Sequence, residues 1–186
     1  DRETAELVIH ASLTGHLIFS TLHTNDVFSI VPRLVDMGVE PFLLAATMNL
    51  GIAQRLARKI CSHCKEPQEV STETVEKIRK QLVGIPKNYI PSTLDISSKL
   101  TFYHGKGCAR CGNSGYSGRT SVAELFQFTP QAKRLIEKGF TADEGRKEAA
   151  RQGMLTLHQD IILKAIEGIT TLEEVLRVSQ ETSEGE

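Results

Sequence analysis

Two short stretches decide how this chain is organised: Cys61-Ser-His-Cys64-Lys-Glu-Pro67 and Gly105-Lys-Gly-Cys108-Ala-Arg-Cys111-Gly-Asn-Ser-Gly115-Tyr-Ser-Gly118. They hold all four cysteines of the 186 residues, in two Cys-x-x-Cys pairs. A structural Zn²⁺ takes four ligands in a tetrahedron, and thiolates serve it well. Two cysteines spaced by two residues reach one ion only across a tight turn. Gly107 and Gly112 flank the second pair and permit such a turn. Pro67 follows the first pair and is expected to end regular structure there. The reading is one closed site made by Cys61, Cys64, Cys108 and Cys111, with Zn²⁺ as the expected ion. Iron in a four-cysteine site has similar spacing and stays open. A redox dithiol needs a strand–Cys-x-x-Cys–helix context, which neither pair shows. His63 and His104 lie nearby but are surplus to four thiolates. The 43 residues from 65 to 107 exceed the usual spacing of a zinc ribbon, so an insertion must loop out.

Working outward, the pairs divide the chain into three zones: 1–60, 61–118 and 119–186. In the first, Ala5, Leu7, Val8, Ala11 and Ser12 predict a helix ending near Gly15. The apolar run His16 to Leu22 predicts a buried strand. Ser29 to Met37 reads as helix, with Pro32 either in its first turn or kinking it. Glu40-Pro41 opens what reads as a long helix reaching Arg58. Helix, strand, helix, helix fits a piece of an α/β layer. In the middle zone, Ser71-Thr72 caps a helix through Leu82, and residues 83–98 read as loop. In the last, Thr120 to Phe128 reads as a strand and Thr129-Pro130 as a helix start. Thr141-x-x-Glu144, Thr156-x-x-Gln159 and Thr171-x-x-Glu174 each match the capping box. Gly153 and Gly168 supply helix stops. Asp160 and Glu167 read as solvated surface acids. The acidic tail from Glu181 to Glu186 is expected to fray.

Composition excludes several classes. Lysine plus arginine number 22 against 23 acids, a formal charge of −1. That gives no bulk attraction to nucleic acid or anionic lipid. Absence of Trp and 5% aromatics argue against a base-stacking surface. A zinc-ribbon nucleic-acid module is therefore the weaker alternative, alongside a docking domain without catalysis. There is no signal-like segment, and Phe42 to Ala57 is too interrupted by polar residues to span a membrane. The missing initiator Met suggests a piece of a longer chain.

Five segments, in order, resemble the secretion ATPase superfamily, the hexameric motors of type II secretion and type IV pilus assembly. Leu13-Thr-Gly-His16-Leu-Ile-Phe-Ser-Thr-Leu-His23-Thr-Asn25 resembles the family's histidine box. Arg33-Leu-Val-Asp-Met-Gly-Val-Glu-Pro41 resembles the helix after it. Ala53-Gln-Arg55-Leu, running into Cys61, resembles the approach to a tetracysteine subdomain. Gly107 to Arg119 resembles its exit, and Glu167-Gly-Ile-Thr-Thr-Leu-Glu-Glu-Val-Leu176-Arg the C-terminal helix. The cysteines favour the type II secretion and pilus extension motors over retraction motors.

The resemblance implies an α/β fold: part of a RecA-like ATPase core over 1–60, a tetracysteine zinc subdomain over 61–118 and a small helical subdomain over 119–186. It implies that His23 senses the γ-phosphate, with His16 and Arg55 as further nucleotide-sensing candidates. No catalytic residue is expected within these residues. Gly-x-x-x-x-Gly-Lys-Ser/Thr, which cradles phosphates, is absent, as is the family's acidic Walker B glutamate. Asp1-Arg2-Glu3-Thr4 resembles the sequence just after that glutamate. ATP and Mg²⁺ are thus expected in the longer parent only, and the piece alone is expected to be inactive. The parent is expected to be a cytoplasmic homo-hexamer at an inner-membrane assembly platform, with no nucleic-acid partner.

Overall fold

The structure is a computed structural model describing residues 2–92, 94–96 and 98–183. Asp1, the first residue of the segment that resembles the sequence after the family's Walker B glutamate, and the tail beyond Ser183 lie outside the described residues, as do Thr93 and Ser97 in the 83–98 loop. The element order is α1 (Arg2–Leu13), α2 (Ile30–Asp36), α3 (Pro41–Thr47), β1 (Leu50–Ile60), β2 (Lys65–Gln68), α4 (Thr72–Gln81), β3 (Phe102–Gly105), β4 (Tyr116–Gln127), α5 (Pro130–Gly139), α6 (Ala142–Gln152), α7 (Leu157–Ile166) and α8 (Leu172–Ser183). Helices thus mix with two two-stranded sheets, β1–β4 and β2–β3. Backbone bonds from Phe128 N–H to Asn49 and from Cys61 N–H to Gly115, at 3.0 and 2.9 Å, show that β1 and β4 run in opposite directions.

The chain forms two compact units, each built from two segments. The first comprises residues 1–53 and 124–154; the second comprises 54–123 and 155–186. Phe126 is the centre of the first unit's core. It is fully buried, and Phe28, Phe128 and Phe140 meet it edge-on at 5.8, 5.2 and 6.3 Å between ring centres. Edge-to-face packing suits the ring quadrupoles. Buried polar groups in this unit are satisfied: Glu124 accepts the Val27 N–H at 3.0 Å. Glu148 accepts from the Thr129 hydroxyl at 2.8 Å and from Arg151 Nε at 2.6 Å. In the second unit α7 buries Leu157, Ile161, Ile162, Leu163, Ala165 and Ile166. Asp160, expected to be a solvated acid, instead accepts the Ala123 N–H of β4 at 2.9 Å and pairs with Lys164.

The expected helix caps hold, but of the three expected capping boxes only one closes; at Thr141 the Glu144 carboxylate accepts from the Thr141 hydroxyl instead of the backbone. Ser71, Thr129, Thr141 and Thr156 accept the N–H groups expected of helix caps. The reciprocal box forms at Thr156/Gln159. At Thr171 the hydroxyl takes the Glu174 N–H at 3.3 Å, but the Glu174 carboxylate turns elsewhere.

Three expectations are corrected. Residues 16–22 belong to neither sheet, and Leu17 and Phe19 are 79% and 89% exposed. A buried strand needs neighbours to take its backbone groups, and neither sheet contributes one. The long helix from Pro41 to Arg58 is a short α3 followed by β1. Gly51, Ala53 and Ala57 are buried while Ile52, Gln54, Leu56 and Arg58 are exposed, a period of two. Pairing with β4 overrides the helix preference of the alanines and leucines. Pro67 does not end regular structure: it lies in β2 opposite Tyr103. Every strand of a two-stranded sheet is an edge, where proline is tolerated.

Candidate metal centre

Each cysteine pair closes its own turn. Cys64 N–H donates to Cys61 C=O at 3.2 Å, and Cys111 N–H to Cys108 C=O at 3.2 Å. The first turn leaves the end of β1 and leads into β2. The second is a 3-10 turn over Ala109–Cys111, closed by Gly112 in the left-handed region at φ 58°. Two backbone bonds tie the turns together: Cys61 N–H to Gly115 C=O at 2.9 Å, and Lys106 N–H to Cys64 C=O at 3.1 Å. Gly105 and Gly115 touch backbone to backbone. A β-carbon on either would overlap the carbonyl oxygen of the other, so no other residue fits without displacing the main chain.

The four sulfur atoms lie within 4.8 Å of one another and form the one cysteine-rich group able to hold a metal ion among the described residues. Cys61–Cys108 and Cys64–Cys111 are 3.9 Å apart between sulfurs, and Cys108–Cys111 3.7 Å. Tetrahedral zinc with bonds of about 2.3 Å would set its sulfurs roughly 3.8 Å apart. All four are free thiols. The residues therefore fit a four-thiolate ion. Backbone N–H groups of Cys108 and Gly115 both point at Cys111 Sγ at 3.3 Å. Burial works to raise the Cys111 thiol, but those two donors outweigh it and bring it down to about 6. Burial pushes Cys64 up to about 12. A thiolate-bound cation displaces the thiol protons, so affinity should rise with pH. Neither nearby histidine joins the group. His63 is exposed and pairs with Arg110 at 2.7 Å, and His104 faces Glu66 at 3.3 Å.

A family model described as type II/IV secretion system protein matches residues 1–177. The chain belongs to that family. Among similar members, the type IV pilus assembly ATPase PilB of Myxococcus xanthus is 43% identical over 176 residues, 95% of this chain and 29% of the relative. The type II secretion system protein E of Pseudomonas aeruginosa is 41% identical over 181 residues, 97% of this chain and 33% of the relative. The type II secretion system ATPase E of Vibrio cholerae is 37% identical over 182 residues, 98% and 33% respectively. The chain spans about a third or less of the curated relatives it matches.

The family's nucleotide-sensing candidates fall in different units. His16 and His23 are exposed in the first. His16 Nδ1 lies 3.0 Å from the Thr14 hydroxyl, beyond the end of α1. Arg55 is half-buried on β1 in the second unit, on the face shared by Ala57.

Sequence reasoning missed the network around Glu174. Its carboxylate is fully buried and accepts from Arg58 N–H at 2.7 Å, Arg58 Nε at 2.9 Å and Arg177 Nε at 2.9 Å. Burial works to raise this carboxyl, but the arginines outweigh it and hold it at about 2. Arg58 also stacks on Tyr116 at 4.0 Å from the ring centre. Glu174 and Arg177 are three apart on α8, a spacing the sequence displays; nothing in the sequence points to Arg58.

Proposed function

We propose that these residues are the part of an ATP-driven motor of type II secretion or type IV pilus extension that carries its structural zinc and its C-terminal helices. One observation carries this reading: the four thiols converge as a zinc ion requires, in a chain matched to the family over residues 1–177. Cys61, Cys64, Cys108 and Cys111 would hold the ion, which supplies a four-point cross-link between segments far apart in sequence. ATP and Mg²⁺ would bind elsewhere in the longer motor, since the 186 residues contain no Gly-x-x-x-x-Gly-Lys-Ser/Thr.

In that motor, residues 1–60 would belong to a RecA-like core, 61–118 to the tetracysteine subdomain and 119–186 to a helical subdomain. His23 would sense the γ-phosphate through a hydrogen bond, with His16 beside it in sequence. Arg55 would stabilise phosphoryl charge within or across subunits of a hexamer. The working site would be the cytoplasmic face of an inner-membrane platform. No helix among the described residues is long and apolar enough to cross a membrane.

The test is elemental analysis after dialysis against metal-free buffer, together with ATP turnover by the chain and by the complete motor. One zinc per chain, turnover by the motor and none by the chain alone are expected. Reactive thiols without metal would refute the zinc centre, and turnover by the isolated chain would refute the division of labour.

A further inference from the structure

The edge of β1 that faces away from β4 is closed by the C-terminal segment, mostly through side chains. Arg177 Nη2 donates to Leu56 C=O at 2.8 Å. The Arg58 N–H donates to Glu174 Oε2 at 2.7 Å, and Thr170 Oγ1 donates to Arg58 C=O at 2.7 Å. The Ile60 N–H then donates to Ile169 C=O at 2.9 Å. Backbone groups of residues 56, 58 and 60 are thus taken in turn, as a neighbouring strand would take them. Thr170 and Glu174 are fully buried, so their bonds have no competing water. Arg55 sits at the head of this clamped run, and all these residues lie in the second compact unit.

We infer that Glu174, Arg177 and Thr170 are positioning residues that fix β1 around Arg55, so that the C-terminal helix governs where the Arg55 guanidinium is held. The inference rests on the reading of Arg55 as a nucleotide-contacting residue. A strand with an unpaired edge leaves the N–H and C=O groups on that side unheld, and misplacing a charge-stabilising group by about 1 Å can cost about a hundredfold in rate. The clamp supplies what a third strand would, from three side chains of α8 and the turn before it together with the Ile169 carbonyl.

The experiment is a double-mutant cycle on ATP turnover by the complete motor containing this chain. Arg55→Ala should lower kcat by about tenfold or more. Arg177→Ala, whose side chain is partly exposed, should lower it in the same direction. The double variant should turn over like Arg55→Ala alone, because a clamp has nothing to position once its charge is gone. Thr170→Val should behave as Arg177→Ala does, and Thr170→Ser should restore turnover by returning the hydroxyl. Faster exchange of the Arg58 amide should accompany the clamp variants. If the losses multiply in the double variant, or Arg177→Ala leaves kcat unchanged while Arg55→Ala lowers it, the clamp is wrong and the role of Arg55 stands. If Arg55→Ala has no effect, the role of Arg55 fails and the clamp with it.

Discussion

Replacing Glu148 with Gln keeps shape and removes charge, which isolates what the buried carboxylate contributes to the first unit. Glu148 is 4% exposed and accepts from Arg151 at 2.6 Å through two nitrogens, from Thr129 at 2.8 Å and from Gln152 at 3.0 Å. The Arg151 bonds, opposed by burial, hold its carboxyl at about 2 rather than the usual 4.5. A shift of that size corresponds to at most about 3 kcal/mol. Arg151 is 60% exposed, so solvent screening removes part of it, and about 2 kcal/mol is expected. The sign follows from linkage. A depressed carboxyl pKa stabilises the fold above the unfolded value, and the gain is lost as pH falls from about 4.5 toward 2. Amide exchange on peptides from α5 and α6 reads this unit separately from the cysteine centre. Glu148→Gln should lower the opening free energy by about 2 kcal/mol at pH 7 and by roughly half that near pH 3. A penalty below about 0.5 kcal/mol at pH 7, or one equal at both pH values, would refute the reasoning.

Three further outcomes are expected. Gly115→Ala places a β-carbon against the Gly105 carbonyl at a backbone φ of 76°, and should destabilise the metal centre by about 2–4 kcal/mol, measured by chelator competition; unchanged metal retention would contradict the close approach. Phe126→Ala removes the ring met edge-on by three others and should cost about 3–5 kcal/mol in urea unfolding, whereas less than about 1 kcal/mol would mean the cluster is not a packed core. Cys111→Ser should abolish retention of the ion after dialysis, while His63→Ala and His104→Ala retain it; loss with either histidine variant would assign that ring as a ligand.

Some features were determined by the sequence alone because their physics is local. Ser71, Thr129, Thr141 and Thr156 cap helices within three residues of themselves, and each does so as expected. Gly153 ends α6 at φ 66° for the same reason. The paired cysteines were legible because each turn spans four residues, whereas their convergence rests on the long-range bonds from Cys61 to Gly115 and from Lys106 to Cys64. The ordered family segments were likewise readable along the chain.

Other features depend on partners distant in sequence. Residues 50–60 look helical by propensity and become β1 because β4, more than 55 residues later, takes their backbone groups. The run from His16 to Leu22 looks like a buried strand, yet neither sheet takes it in. Apolar character records what could be buried; a neighbour decides whether it is. The Glu174 clamp is the extreme case: its carboxylate reaches Arg58 across 116 positions, and only the tertiary structure turned an expected capping glutamate into the group that closes the edge of β1.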